Sequence, residues 1–112
     1  MENTAKSLKI TVLGAGSWGT AIAQHLCGAG HQVRIWAYEP EVAQAINEQH
    51  ENTRFLSGVA LHPGLSASPD MAEALTGAGM VMLVMPTHVF RVVLGQAAAH
   101  LPAGAALVSC SK

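Results

Sequence analysis

LKITVLGAGSWGTAIAQHLCGA, residues 8–29, joins a short apolar run to a glycine-rich turn and then to a helix-like stretch. Leu8, Ile10, Thr11, Val12 and Leu13 are apolar or β-branched without clear alternation, the pattern of a strand covered on both faces. The run breaks at Gly14-Ala15-Gly16-Ser17-Trp18-Gly19, which fits G-x-G-x-x-G. In that pattern Gly14 permits the tight turn out of the strand and Gly16 lets the backbone approach a pyrophosphate with no Cβ in the way. Gly19 lets the new helix pack closely on the strand. The first-turn N–H groups of the helix, those of Ser17 and Trp18 among them, then face the phosphates at the positive end of the helix dipole. Glycine-rich turns without a ligand are common. The preceding strand, the following helix and an acidic residue, Glu39, about 20 positions beyond Gly19 give this one its weight.

Composition narrows the class. In 112 residues, half are hydrophobic, 12% are charged and the net charge is −1, which describes one packed domain and not a disordered chain. No Lys/Arg cluster exists to meet nucleic acid or an anionic membrane surface. The two cysteines, Cys27 and Cys110, have no metal-type spacing and form no disulfide framework, which points to a reducing cytoplasm. The N-terminal MENTAKSLK lacks the apolar region of a signal peptide, and the longest apolar stretches are too short to insert in a bilayer.

The first helix is predicted from about Ser17 to Ala29, with Trp18, Ile22 and Leu26 on its inner face and Gly30 as a left-handed stop. Val33–Ala37 reads as a second strand. Tyr38 and Glu39 end it where the adenosine end of a dinucleotide would lie: Tyr38 to stack on adenine, Glu39 to accept from the ribose hydroxyls and repel a 2′-phosphate. The alternative for Glu39 is capping the next helix, Pro40 to Gln49, which buries Val42, Ala45 and Ile46. No arginine follows the strand to meet a 2′-phosphate, so NAD is favoured slightly over NADP. Residues 50–64 form a long irregular loop, predicted to be anchored by Phe55 and Leu56. His50 and His62 have no metal-ligand spacing, so no metal is expected.

Leu65–Ala67 reads as a short strand, and Ser68-Pro69-Asp70 opens a helix with an N-cap and a proline at its first position. Met80–Met85 is a continuous apolar strand stopped by Pro86, its methionines serving as core packing. Thr87 and His88 follow at the end where open α/β sheets place ligands. His88 as a general base is weighed against plain surface placement, since no partner in sequence orients it. A helix from Val89 to His100, burying Val89, Val92, Val93 and Ala97, leads to a last strand, Ala106–Cys110. Five strands alternating with helices predict an α/β fold, a doubly wound parallel sheet of the Rossmann type, with right-handed crossovers.

These pieces together resemble the NAD(P)-dependent sn-glycerol-3-phosphate dehydrogenases. The matching stretches are VLGAGSWGTAIA, WAYEPE, NTRFLSG, VMPTHVF and VSCSK, in that order along nearly the whole chain. The resemblance implies that residues 1–112 are the family's cofactor-binding domain, followed in the family by a helical substrate domain. It places cofactor phosphates on the turn with Ser17 and Trp18, the adenosine end near Tyr38, and Pro86 in the cofactor site. It puts Lys112 near both nicotinamide and substrate, where an ammonium polarises a ketone oxygen and helps to bind an anionic, phosphorylated three-carbon substrate. The implied reaction reduces dihydroxyacetone phosphate to sn-glycerol 3-phosphate with NAD(P)H, for glycerophospholipid synthesis. The principal acid/base, a lysine of the helical domain, lies outside this chain, so the chain alone is expected to be inactive. Ser57 stands where the family usually has proline, Met85 where valine is common, and Tyr38 where many bacterial members are basic. Other Rossmann dehydrogenases, of the 6-phosphogluconate or hydroxyacyl-CoA type, and a non-catalytic NAD-sensing module are the alternative readings. Apolar surface left bare by an absent domain would favour a homo-oligomer.

Overall fold

A computed structural model describes residues 7–110. Nine elements alternate in chain order: β1 (Lys9–Leu13), α1 (Ser17–Gly28), β2 (Gln32–Trp36), α2 (Pro40–Gln49), β3 (Ser66–Ser68), α3 (Met71–Leu75), β4 (Met80–Leu83), α4 (Thr87–Ala98) and β5 (Ala106–Ser109). All strand pairs are parallel, in the spatial order β3-β2-β1-β4-β5. This is the doubly wound sheet that the alternation predicts.

The central strand carries the logic of the fold. Ile10 lies opposite Val33 and Met80, and Leu13 opposite Trp36 and Leu83, so the carboxyl ends of β1, β2 and β4 finish level. Successive β1 side chains enter two different cores. Ile10 and Val12 join Ala23, Cys27, Val33, Ile35, Val42, Ile46, Leu61 and Leu65 under α1 and α2. Leu13 joins Trp36, Leu75, Val81, Leu83, Val93 and Ala97 under α3 and α4. With both faces covered, β1 has no polar side to show, hence its unbroken apolar run. Its one buried hydroxyl, on Thr11, donates to the Ala74 carbonyl at 2.6 Å and is thereby satisfied. Truncating a fully buried leucine such as Leu13 or Leu83 to alanine should cost about 2–5 kcal/mol.

Several predicted details shift. The buried face of α1 is Gly19, Thr20, Ala23 and Cys27; Trp18 is exposed, and Ile22 and Leu26 are only partly covered. Small residues bring the helix axis close to the sheet, and the bulkier neighbours flank the contact. In α4, Val93 and Ala97 are buried while Val92 is 63% exposed. The cap of α3 is Asp70, whose carboxylate accepts from Glu73 N–H, and not Ser68, which ends β3. Met80–Met85 gives a strand only as far as Leu83, and Gly30, at φ 100°, is the predicted stop after α1. Phe55 is exposed, and the 50–64 loop is held instead by buried Asn52 and Leu61, with Leu65 buried just beyond it.

Candidate functional site

The chain leaves β1 towards α1, β2 and β3 on one side and returns through β4 on the other. The crevice between β1 and β4 at their carboxyl ends is therefore the switch point where open α/β sheets bind ligands. Gly14 fills its floor: at φ 128° no L side chain is comfortable, and an added Cβ would stand 2.2 Å from the Val84 carbonyl oxygen. Gly19 is equally constrained, since its Cβ would lie 2.3 Å from the Gly14 oxygen. Gly16 is the opposite case. It has ordinary backbone angles, φ −68° and ψ −179°, and nothing lies within 4 Å of where its Cβ would be. Packing and geometry demand the outer two glycines; among the described residues, nothing demands the middle one.

Gly16 is also the N-cap residue of α1. Among the described residues no side chain caps that end, and the first turn carries no acid to neutralise the positive end of the helix dipole. A cavity of about 360 Å³ opens over it, lined by Gly16, Ser17, Trp18, Gly19, Val84, Met85, Pro86 and Cys110. The structure thus brings together Gly16, Ser17, Trp18, Gly19 and Pro86 of the predicted site, with Gly14 packed beneath on Val84. Tyr38 and Glu39 stand one strand over, at the end of β2, and do not line this cavity. Tyr38 is 74% exposed and meets Trp36 edge-on, with ring centroids 6.2 Å apart. Glu39 is the N-cap residue of α2 through its backbone carbonyl, which accepts from Val42 and Ala43; its carboxylate makes no capping hydrogen bond. Lys112 lies outside the described residues.

Other groups fall away from the crevice. His88 is exposed on the first turn of α4 and does not line the cavity. Among the described residues, no three His, Cys, Asp or Glu side chains are grouped to hold a metal ion. A larger cavity of about 500 Å³ lies at the amino ends of the strands, beside Lys9, His31 and Arg34, the end of an α/β sheet opposite to its ligands. Burial raises the Cys27 thiol above its ordinary range, which makes it inert packing.

Three residues of the site region escaped the sequence reading. Cys110 lines the cavity because β5 ends beside β4, its N–H donating to the Leu83 carbonyl at 2.8 Å; its place at a strand's carboxyl end was the available signal. Arg54, on the long loop, reaches Glu41 in the first turn of α2 at 3.0 Å and covers the Phe55 ring. A cation therefore stands near the end of β2 although none follows that strand in sequence. Asn52 is fully buried and hydrogen-bonded to the glycine turn itself.

Residues 9–112 match the family described as the N-terminus of NAD-dependent glycerol-3-phosphate dehydrogenase. The chain belongs to this family. It is 52% identical over 103 residues to a glycerol-3-phosphate dehydrogenase, NAD(P)+, of Rhodospirillum rubrum, covering 92% of this chain and 30% of that protein. Its fold superposes on the glycerol-3-phosphate dehydrogenase of Coxiella burnetii with a TM-score of 0.87 at 30% identity, covering 95% of this chain and 33% of that one. For the enzyme from Saccharomyces cerevisiae the TM-score is 0.85 at 28% identity, covering 96% and 34% respectively. The chain thus spans about a third of the length of the dehydrogenases it matches. Among the described residues no helix is long and apolar enough to cross a membrane.

Proposed function

We propose that residues 1–112 are the dinucleotide-binding domain of an oxidoreductase that interconverts dihydroxyacetone phosphate and sn-glycerol 3-phosphate with NAD(P)H, in cytoplasmic glycerophospholipid synthesis. One observation carries the reading: in a chain of this family, Gly16 presents an open backbone face at the uncapped start of α1, over the β1–β4 crevice. A Cβ there would project into the space that a diphosphate needs, which is the fit expected if this turn cradles one. The lining of Val84, Met85 and Pro86 supplies an apolar wall suited to a nicotinamide ring.

Each residue then has a stated task. Ser17 and Trp18, at the start of α1, hold the diphosphate through backbone and dipole. Tyr38 offers an exposed ring to adenine, and the uncommitted Glu39 carboxylate accepts from the ribose hydroxyls. Glu39 repels a 2′-phosphate while Arg54 attracts one, so the preference between NAD and NADP rests on two opposed charges near one strand end. When bound, the nicotinamide cofactor supplies the hydride. Lys112, two residues after the cavity-lining Cys110, is assigned by family resemblance to polarise the ketone oxygen and steady the phosphorylated substrate. The lysine that exchanges the proton belongs, on the same resemblance, to a helical domain outside this chain. The unpaired thiols Cys27 and Cys110 fit a reducing compartment.

Calorimetric titration of the chain with NADH and with NADPH tests the site. Saturable binding of either, abolished in Gly14→Trp only together with folding but weakened in folded Gly16→Ala, is the expected result. Absence of binding for both would refute the dinucleotide role. Dihydroxyacetone phosphate turnover by the 112-residue chain at enzymatic rates would refute the assignment of proton transfer to another domain.

A further inference from the structure

Asn52 is an asparagine with no accessible surface, set in a loop outside the main sheet where it forms an isolated antiparallel bridge with Leu56. Burying a carboxamide is costly unless its polar atoms are paired. Here they are paired across a long stretch of chain. Nδ2 donates to the Ala15 carbonyl at 2.7 Å and to Thr20 Oγ1 at 2.9 Å, and Oδ1 accepts from Phe55 N–H at 3.0 Å. The alternative amide orientation would set oxygen against the Ala15 oxygen, so the network fixes which way the group points.

Ala15 is the residue between Gly14 and Gly16. A turn with two glycines in three residues has high backbone freedom. Without Asn52, the Ala15 carbonyl would keep, among the described residues, the Thr20 hydroxyl at 3.4 Å. Both ends of the contact are themselves secured. Thr20 is fully buried on α1, and its N–H bonds to the Gly16 carbonyl at 3.0 Å. The Asn52 carbonyl receives Leu56 N–H at 2.9 Å, and further along the loop His62 N–H donates to Gln24 Oε1 of α1 at 2.7 Å. The loop is thus fastened along α1 and reaches the glycine turn through Asn52, which does not itself line the cavity.

We propose that Asn52 is a positioning residue for the phosphate-binding turn: by holding the Ala15 carbonyl it presets the Gly16–Ser17 backbone for a diphosphate. This rests on the dinucleotide reading above and names the part of the ligand that Asn52 serves. Preorganising a flexible turn lowers the ordering cost of binding, so the loss falls on ligands that use the turn and spares those that do not.

The test compares the wild-type chain with Asn52→Ala and Asn52→Asp, titrated with NADH, with ADP-ribose and with adenosine, alongside amide hydrogen exchange. Asn52→Ala should weaken NADH and ADP-ribose about tenfold, leave adenosine unchanged, and speed exchange at Ala15 to Ser17 while the β1 and β4 amides stay protected. Asn52→Asp keeps the acceptor for Phe55 N–H but loses both donors, so it should be at least as impaired as alanine. A wild-type-like Asn52→Asp would mean that Asn52 merely closes its own loop, and would overturn the proposal. Equal weakening of all three ligands, or unaltered exchange in the turn, would do the same. Should neither variant fold, Thr20→Val removes one of the two acceptors and should weaken the diphosphate ligands two- to threefold with faster exchange at the turn; no change in either refutes the role. Failure of the wild-type chain to bind NADH or NADPH would instead remove the dinucleotide reading, and the exchange data would still decide whether Asn52 holds the turn.

Discussion

Gly16→Ala tests whether the middle glycine is kept for a ligand, as proposed, while its neighbours are kept for the fold. At φ −68° and ψ −179° alanine adopts the backbone without strain, and its methyl meets no atom within 4 Å. Left-handed geometry, another common reason for a glycine in such a turn, does not apply here. Two small terms act on stability. Restricting the unfolded chain stabilises by about 0.4–1 kcal/mol, and replacing glycine by alanine at an N-cap costs a comparable amount. The net change should stay within about 0.5 kcal/mol, a shift in melting temperature of no more than about 3 °C. Binding is another matter. A methyl on the open face moves a diphosphate off the turn, and losing one charge-assisted hydrogen bond of about 1.5–3 kcal/mol weakens affinity by about 10- to 100-fold. Gly14→Ala and Gly19→Ala should behave oppositely, each meeting a backbone oxygen at 2.2 and 2.3 Å and losing about 3 kcal/mol or more of stability. Thermal melts and calorimetry with NADH on the three variants decide it. A folded Gly16→Ala chain with unchanged affinity would show that the diphosphate lies elsewhere, and a melting point many degrees lower would show that the turn is not as described.

Four further perturbations probe other parts of the molecule. His50 ends α2 at φ 55° and ψ 44° with a buried Nδ1 that has no hydrogen-bond partner among the described residues, so His50→Gly should stabilise the chain by about 1 kcal/mol in urea unfolding; a loss would mean that the imidazole contributes packing worth more than the strain. Tyr38→Arg with Glu39→Ser should raise the NADPH-to-NADH affinity ratio at least about tenfold by adding a cation and removing a repulsive carboxylate, and an unmoved ratio would place the adenosine end elsewhere. Cys110, half-buried in the cavity wall, should be alkylated before the buried Cys27, and NADH should protect it. Because burial raises the Cys27 pKa, the unfolded chain releases that proton first, so stability falls as pH rises past the ordinary thiol range, and the fall should be shallower in Cys27→Ala.

What the sequence made legible are features whose causes are local. The β1 run, the spacing of Gly14, Gly16 and Gly19, and the proline that starts α2 each follow from a residue's own geometry or from its near neighbours, and the structure has them at those positions. Asn52 was illegible as a site residue because its partners, Ala15 and Thr20, are 37 and 32 residues away. In sequence it opens the NTRFLSG stretch that helps to carry the family resemblance, but only the folded loop gives its amide a direction. Arg54 was missed for the same reason, since the salt bridge to Glu41 exists only once the loop folds back on α2. Phe55 and Trp18 show the converse error. Size and hydrophobicity suggested anchors, yet both are substantially exposed.

The misread face of α1 bears most directly on the site. Periodicity favoured Trp18, Ile22 and Leu26 as the inner stripe because large apolar residues dominate such a count. The helix instead rests on Gly19, Thr20, Ala23 and Cys27. A small face allows close approach to the sheet, and close approach sets where the amino end of α1 sits. With Gly19 against the Gly14 carbonyl and Gly14 against Val84, three backbone segments stack in direct contact. Gly16 and Ser17 then share one cavity wall with Val84 and Pro86, and bulky Trp18 is turned outward to its rim. A helix seated on leucines would stand off from the sheet and carry its N-terminus away from the crevice. The residues that look least informative by hydrophobicity therefore fix the distance between the helix dipole and the β4 wall, and with it the length of ligand that can bridge them.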